Sequence, residues 1–243
     1  MSKRSKYAEG KRKGGYTKSN KKRSKVGSVA AKADAVLETR GRRNQKNSVD
    51  TLQTGVGFST TAVWSLLNGC TEGAAIYNRI GRRIKMKSIQ VRGGFSMSPA
   101  ADATHFITVM LVYDRQPNGA NPAIADLLLD YKFDGTTGTS PLSGLNINNS
   151  DRFVVLRRDW YVIDADPAAT AAQQKDQVLN SCSGPPRSVD MYVKLAGLEA
   201  HYKASTGGIG DLTTGALYLV TYGSQAASVC SLDFASRLRF DSQ

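Results

Sequence analysis

The residues with the clearest chemical potential are the lysines and arginines near the start of the chain. Between residues 11 and 27, the sequence KRKGGYTKSNKKRSKVG contains eight Lys and Arg side chains and no acid. Cations at this density neutralise phosphates, which indicates a polyanionic partner. The candidate partners are nucleic acid, an anionic membrane surface, and a nuclear import receptor that reads Lys21, Lys22, Arg23 and Lys25. The alternative is a solubilising tail with no partner.

The net charge of the chain is confined to its first 46 residues. The 243-residue chain has a formal net charge of +13, and residues 1–46 carry sixteen basic and three acidic side chains. The remainder has seventeen side chains of each sign and is formally neutral. Because a segment so poor in large apolar residues cannot offset the entropy of ordering, we predict a disordered basic arm over residues 1–49. Its candidate nucleic-acid-binding residues are Lys3, Arg4, Lys6, Lys11, Arg12, Lys13, Lys18, Lys21, Lys22, Arg23, Lys25, Arg40, Arg42 and Arg43.

Side chains suited to catalysis or metal binding are few. His105 begins an apolar run and His201 lies near a predicted strand end, so both are interpreted as structural or surface residues. The sequence contains no Gly-Lys-Ser/Thr phosphate loop, no His-Glu-x-x-His helix and no Gly-x-Ser-x-Gly elbow. Asp164 and Asp166 are interpreted either as ligands of a divalent cation at a subunit contact or as part of a polar turn. We therefore predict that the protein is not an enzyme and needs no cofactor.

The cysteines and the hydropathy indicate the compartment. Cys70, Cys182 and Cys230 are odd in number and far apart in the sequence, which fits neither a disulfide framework nor a zinc motif and favours a reducing compartment. No run of about 18 apolar residues is present, and no apolar stretch follows the first basic residues. We therefore expect neither membrane insertion nor secretion.

The segments that must position these residues are predicted to be strands of one domain over residues 50–243. In residues 229–240, VCSLDFASRLRF, apolar and polar side chains alternate with the period of a half-buried strand, and residues 189–195 repeat this pattern. Helix signals are limited to two excursions, one after Asn121 and Pro122 and one after Asp166 and Pro167. Many strands joined by long loops predict an all-β sandwich or jelly roll. Segments that are apolar throughout predict strands covered on both faces at 105–113, 153–156, 160–163 and 216–222, and a further strand is predicted at 58–67.

One basic segment lies within the otherwise neutral body, at residues 78–93. Its sequence, NRIGRRIKMKSIQVRG, contains no acid. We interpret it either as a basic strand face that continues the polyanion-binding surface of the arm or as a charged edge strand that prevents aggregation. Its candidate nucleic-acid-binding residues are Arg82, Arg83, Lys85 and Lys87.

The apolar residues of the same segment predict an irregularity in the strand. Ile84 and Met86 would lie on one face, opposite the cations, but the apolar phase then moves to Ile89 and Val91. A change of phase within a strand is typical of a β-bulge, which we place near Ser88.

Five segments occur in an order that resembles a known family: the basic segment at 78–93, VYDRQPNGANPAIADLL at 112–128, NNSDRFVVLRRDW at 148–160, and the final pair GALYLVTYG and FASRLRFDS. The chain resembles the coat proteins of eukaryotic circular single-stranded DNA viruses that encode a replication initiator, including geminivirus-like groups. The resemblance covers roughly residues 50–243, whereas the arm is similar in composition only.

This resemblance implies a single jelly-roll β-sandwich of about eight strands that forms a homo-oligomeric icosahedral shell of about 60 subunits. It also implies that the arm faces inward and packages circular single-stranded DNA. A host nuclear import receptor would be a further partner, with the protein located in the virion and, during assembly, in the host nucleus.

A cellular nucleic-acid-binding β domain with a basic tail is the competing hypothesis. It accounts equally well for the arm. It accounts less well for a large neutral body, because a dedicated nucleic-acid-binding domain usually carries basic charge across a folded face.

Overall fold

The structure is a computed structural model, and it describes residues 47–97, 105–131, 137–163, 188–226 and 230–242. Within these residues there are ten strands, one four-residue helix and two 3₁₀ turns. The predicted all-β class is therefore confirmed.

The first sheet is built around two long central strands. It contains β1 (Asn47–Phe58), β3 (Arg83–Met97), β6 (Ser188–Lys194), β7 (Glu199–Tyr202), β8 (Leu212–Thr214) and β10 (Cys230–Ser242). The order is β1-β10-β3-β7-β8, and β6 also pairs with β3, along the part of its length that β7 does not cover. All of these pairings are antiparallel.

The second sheet has four antiparallel strands. They are β2 (Val63–Leu66), β4 (His105–Asp114), β5 (Phe153–Ile163) and β9 (Ala216–Gly223), in the order β2-β9-β4-β5. The helix, α1 (Ile124–Leu127), lies in the long excursion between β4 and β5.

The connectivity is that of a single jelly roll. The strands β6 and β7 occupy one position beside β3, so the two sheets have eight principal positions, and β8 is an addition at one edge. Numbered in chain order, the eight positions are β1, β2, β3, β4, β5, β6 with β7, β9, and β10. Positions 1, 8, 3 and 6 form one sheet, and positions 2, 7, 4 and 5 form the other. This arrangement of eight antiparallel strands in two sheets defines the jelly roll.

The core lies between the two sheets. On β10, Leu232, Phe234, Leu238 and Phe240 are buried, as the alternating pattern predicted. Every residue of β9 is buried and so is nearly every residue of β4, because these are the two central strands of the second sheet and both of their faces are covered. The predictions for residues 105–113 and 216–222 are thus confirmed.

Two strand predictions need correction. Residues 153–163 form one continuous strand, β5, and most of its side chains are only partly buried because it is an edge strand of its sheet. The strand predicted over 58–67 is interrupted after Phe58, where the backbone N–H of Thr61 donates to the hydroxyl of Ser59 at 3.2 Å and forms a turn.

The predicted boundaries also shift. The strand β1 begins at Asn47, so the boundary placed at residue 50 falls inside a strand. The helix α1 begins after Ala123, whose backbone N–H donates to the carboxylate of Asp126 at 3.2 Å, rather than at Asn121 and Pro122. The helix predicted after Asp166 and Pro167 lies outside the described residues.

An ion pair joins the two segments that carry the most specific part of the family resemblance. The guanidinium of Arg152, just before β5, donates to both carboxylate oxygens of Asp114, at the end of β4, at 3.0 and 2.9 Å. The backbone N–H of Gln116 donates to the same carboxylate at 2.9 Å, and the guanidinium lies 4.6 Å from the ring centroid of Phe153. Since Asp114 is fully buried, this pair holds the start of the long excursion against its end.

Candidate nucleic-acid interface

The strand β3 directs the cations of residues 83–87 away from the core. Ile84 and Met86 are fully buried, whereas Arg83, Lys85 and Lys87 are exposed. Alternation along a strand places these three cations on the outer face of the first sheet, as predicted.

A β-bulge ends this alternation where the sequence predicted it. In the pairing with β10, Arg239 lies opposite Ser88 and the next residue, Phe240, lies opposite Met86, so Lys87 is the extra residue. The bulge allows Ile89 to face the core although Met86 also does. The predicted bulge near Ser88 is therefore confirmed.

The interpretation of residues 78–93 as an edge strand is wrong. The strand β3 pairs with β10 on one side and with β6 and β7 on the other, so its backbone is not available for pairing with another chain. Its cations therefore do not protect an edge.

Strand pairing adds two cations that the sequence reasoning missed. Arg239 of β10 and Lys194 of β6 both lie opposite Ser88, one on each side of β3, and both are exposed. The only signal in the sequence was their polar position in alternating strands, which does not reveal the neighbouring strand. We call Arg83, Lys85, Lys87, Lys194 and Arg239 together the basic face.

Two acids on adjacent strands partly neutralise the basic face. The carboxylate of Glu199 accepts a hydrogen bond from Arg83 at 3.0 Å, and that of Asp241 accepts one from Lys87 at 2.5 Å. The hydrogen bond from Arg83 lowers the pKa of Glu199, so this carboxylate stays ionised at neutral pH. Lys85, Lys194 and Arg239 have no ion-pair partner within the described residues.

The other half of the same sheet surface carries paired charges. Arg237 donates to both carboxylate oxygens of Asp50 at 2.8 and 2.6 Å, which lowers the pKa of Asp50, and Arg92 lies 3.4 Å from the carboxylate of Asp190. The cations available to a polyanion are thus concentrated towards the end of the sheet at which β3 begins.

The first described strand of the chain belongs to the sheet that carries the basic face. The strand β1 begins at Asn47, and its second residue, Ser48, lies opposite Arg239. The arm cations predicted to bind nucleic acid lie outside the described residues. Arg82, the remaining predicted residue, is exposed and precedes β3.

Two further residues from the sequence analysis occupy structural positions. His105 is fully buried, its Nε2 accepts a hydrogen bond from the backbone N–H of Gln225 at 3.4 Å, and burial lowers its pKa. His201 lies on the sheet surface, with its Nε2 3.7 Å from the carboxylate of Glu199.

The thiol of Cys70 is buried, and burial raises its pKa to about 12, which makes it a poor nucleophile. In the part of the chain that the structure describes, no cluster of three metal-ligating side chains occurs and no helix is long and apolar enough to cross a membrane. Asp164 and Asp166 lie outside the described residues.

Comparison with known proteins agrees with the resemblance noted in the sequence. No curated protein matches the chain. One similar solved structure, described as Desmodium yellow mottle tymovirus, is 10% identical with a TM-score of 0.32, over 81% of this chain and 86% of that chain. A family model matches residues 2–243, nearly the whole sequence, and on that match the chain belongs to the geminivirus coat protein/nuclear export factor BR1 family.

Proposed function

We propose that this chain is the coat protein of a geminivirus-like virus, that it assembles into an icosahedral shell of about 60 subunits, and that it packages circular single-stranded DNA through residues 1–46. The observation that carries the proposal is the distribution of charge in a member of a coat-protein family. The net charge of +13 lies entirely in residues 1–46, and the remaining residues sum to zero.

A segment rich in Lys and Arg can bind single-stranded DNA of any sequence. Phosphates are the one feature that every nucleotide shares, and Lys and Arg neutralise them without reading bases. Fully extended, residues 1–46 reach about 150 Å, so their attachment point hardly restricts which phosphates they meet. Only Tyr7 and Tyr16 could stack on bases there, so charge neutralisation should dominate the binding.

The basic face is proposed to line the interior of the shell. This orientation is supported by the position of Arg239 in the chain fold. Arg239 lies opposite Ser48, the second residue of β1, which directly follows residues 1–46 in the sequence. An inward orientation would bring Lys85, Lys194 and Arg239 to the same DNA as the arm.

The proposal also includes import of the protein into the host nucleus. Lys21, Lys22, Arg23 and Lys25 would be read by a host import receptor, and the virion and the host nucleus would be the two locations. In cells that express a fluorescent fusion, alanine at these four positions should abolish nuclear accumulation, whereas alanine at Lys11, Arg12 and Lys13 should preserve it. Equal accumulation of both variants would place the import signal elsewhere.

Negative-stain electron microscopy of the purified full-length protein, mixed with circular single-stranded DNA, tests the proposed assembly. Uniform closed shells that protect the DNA from nuclease would support the coat function.

The family description also names a nuclear export factor, which favours a second candidate: a DNA carrier that does not form shells. Small soluble complexes that still bind DNA would support this carrier function, or a cellular binding domain, over the coat protein.

A further inference from the structure

Three large apolar side chains are exposed together on the loop between β2 and β3. Ile76, Tyr77 and Ile80 are 63%, 61% and 59% exposed, and we call them the loop patch. Single exposed apolar residues are common on protein surfaces, but a group of large ones within five residues is typical of a contact site.

A buried arginine holds this loop in one conformation. Arg79 is fully buried, its Nε donates to the carbonyl oxygen of Cys70 at 3.1 Å, and its other nitrogens donate to the carbonyls of Gly81 and Ala204. Its guanidinium also lies 4.4 Å from the ring centroid of Tyr202. Because Arg79 holds the loop backbone, binding at the loop patch needs little further ordering of that backbone.

A second apolar cluster lies in the excursion between β4 and β5. Residues 127–131 and 142–147 run side by side, since the N–H of Leu129 donates to the carbonyl of Gly144 and that of Asn146 to the carbonyl of Leu127, both at 2.9 Å. Leu127 and Leu128 of this ribbon are buried in the core, but five other large apolar side chains are 42% to 78% exposed. We call them the excursion patch: Leu129, Tyr131, Leu142, Leu145 and Ile147.

Each patch has an exposed charged residue close to it in the chain, a cation beside the loop patch and an acid beside the excursion patch. Between Arg115 and Arg152, the described residues include three acids, Asp126, Asp130 and Asp151, and no Lys or Arg. The loop patch is followed in the chain by Arg82, which is exposed. Within the described residues, the side chains of Arg82 and Asp130 have no ion-pair partner, so each is available to a neighbouring molecule.

The two patches are attached to different sheets of one subunit. The loop patch is tied to the first sheet, where the carbonyl of Ile76 accepts a hydrogen bond from the N–H of Ser48 at 3.2 Å. The excursion is tied to the second sheet, where Arg158 and Trp160 of β5 donate to the carbonyl of Pro141 at 2.6 and 3.2 Å. One subunit therefore offers two different surfaces, which is what a head-to-tail contact between copies requires.

We propose that the loop patch of one subunit packs against the excursion patch of a second copy of this chain, with Arg82 facing Asp130 across the contact. This inference rests on the proposed coat function, because it names the contact between neighbouring subunits of the shell. The apolar side chains would supply the buried centre of the interface, and the charge pair would set its register.

Charge reversal at the two partners tests the contact. Arg82→Glu and Asp130→Lys should each raise the protein concentration needed for assembly by about tenfold or more, because like charges then face each other across the interface. The double variant Arg82→Glu with Asp130→Lys should recover assembly to near the wild-type level, since the pair is restored with its polarity exchanged. Particles are counted by electron microscopy and by sedimentation without DNA, and circular dichroism confirms that each variant is folded.

Arg92→Glu provides the matched control, because it reverses an exposed cation of the first sheet that lies outside both the loop patch and the basic face. It should assemble like the wild type. If the single variants assemble normally, or if the double variant is no better than the single ones, the contact is wrong while the coat function stands. If the wild-type protein forms no shells at all, the proposed function fails and this contact fails with it.

Discussion

The buried ion pair between Arg152 and Asp114 provides a quantitative test of how this fold is held together. Arg152→Ala would leave the carboxylate of Asp114, which is fully buried, with the N–H of Gln116 as its remaining charge-stabilising contact. Removing one partner of a buried pair costs about 3–5 kcal/mol. The lower end applies here because the Arg152 side chain is 26% exposed, so water can reach part of the site.

This loss should be visible as a change in thermal stability. For a domain of this size, 1 kcal/mol shifts the unfolding midpoint by about 2–4 °C, so about 3 kcal/mol corresponds to a fall of about 6–12 °C. Circular dichroism during heating measures the midpoint, and urea unfolding measures the free energy of unfolding. All variants must be compared in the same assembly state, because subunit contacts also stabilise the fold.

The pair between Arg237 and Asp50 is the matched control. It has the same residue types and the same two-bond geometry, but its side chains are 57% and 54% exposed. Arg237→Ala should therefore cost much less stability than Arg152→Ala, because water and salt screen an exposed ion pair. The double variant Asp114→Ala with Arg152→Ala should lose less stability than the two single losses added together, because the second substitution removes the group that the first leaves unpaired. An Arg237→Ala loss equal to that of Arg152→Ala would refute the reasoning from burial.

Two further predictions concern DNA. If about ten charges of residues 1–46 engage phosphates, the slope of log affinity against log salt should be near −7 for single-stranded oligonucleotides of any sequence, and deletion of residues 2–46 should reduce it to about −1 or −2; a truncated protein with a steep slope would move the binding site into the folded domain. Changing Arg83, Lys85 and Lys87 together to Glu should reduce the DNA content of particles, measured by absorbance ratio, more than the yield of empty shells. Particles in which these side chains lie on the outer surface would contradict the inward orientation.

Features of the fold that depend on neighbouring residues in the chain were predictable from the sequence. The alternation in residues 229–240 identified β10 and its buried face, and the change of phase after Met86 located the bulge. Both signals arise because successive side chains of a strand point to opposite faces, a property that does not depend on the rest of the fold.

Features that depend on strand pairing were not predictable in this way. Lys194 and Arg239 are more than 40 residues apart in the sequence, yet both lie opposite Ser88. The edge position of β5 was missed for the same reason, since an apolar run has the same sequence whether one or two of its faces are covered.

Arg79 shows a different limit of sequence reasoning. In the sequence it belongs to the basic segment at 78–93, and nothing distinguishes it from Arg82 or Arg83. In the structure it is fully buried because carbonyl oxygens from residues 70, 81 and 204 converge on its guanidinium. A guanidinium is buried at acceptable cost only when its donors are satisfied, and the acceptors here come from two separate parts of the chain.

Under the proposed function, the pairing of charges on the folded domain accounts for a net charge that lies entirely in residues 1–46. On the basic face, Glu199 and Asp241 neutralise Arg83 and Lys87, and on the rest of that surface Asp50 and Asp190 neutralise Arg237 and Arg92. Subunits with strongly charged bodies would repel one another at every contact of a closed shell. A neutral body avoids this repulsion, and a separate cationic segment can then be matched to the DNA phosphates without weakening the contacts between subunits.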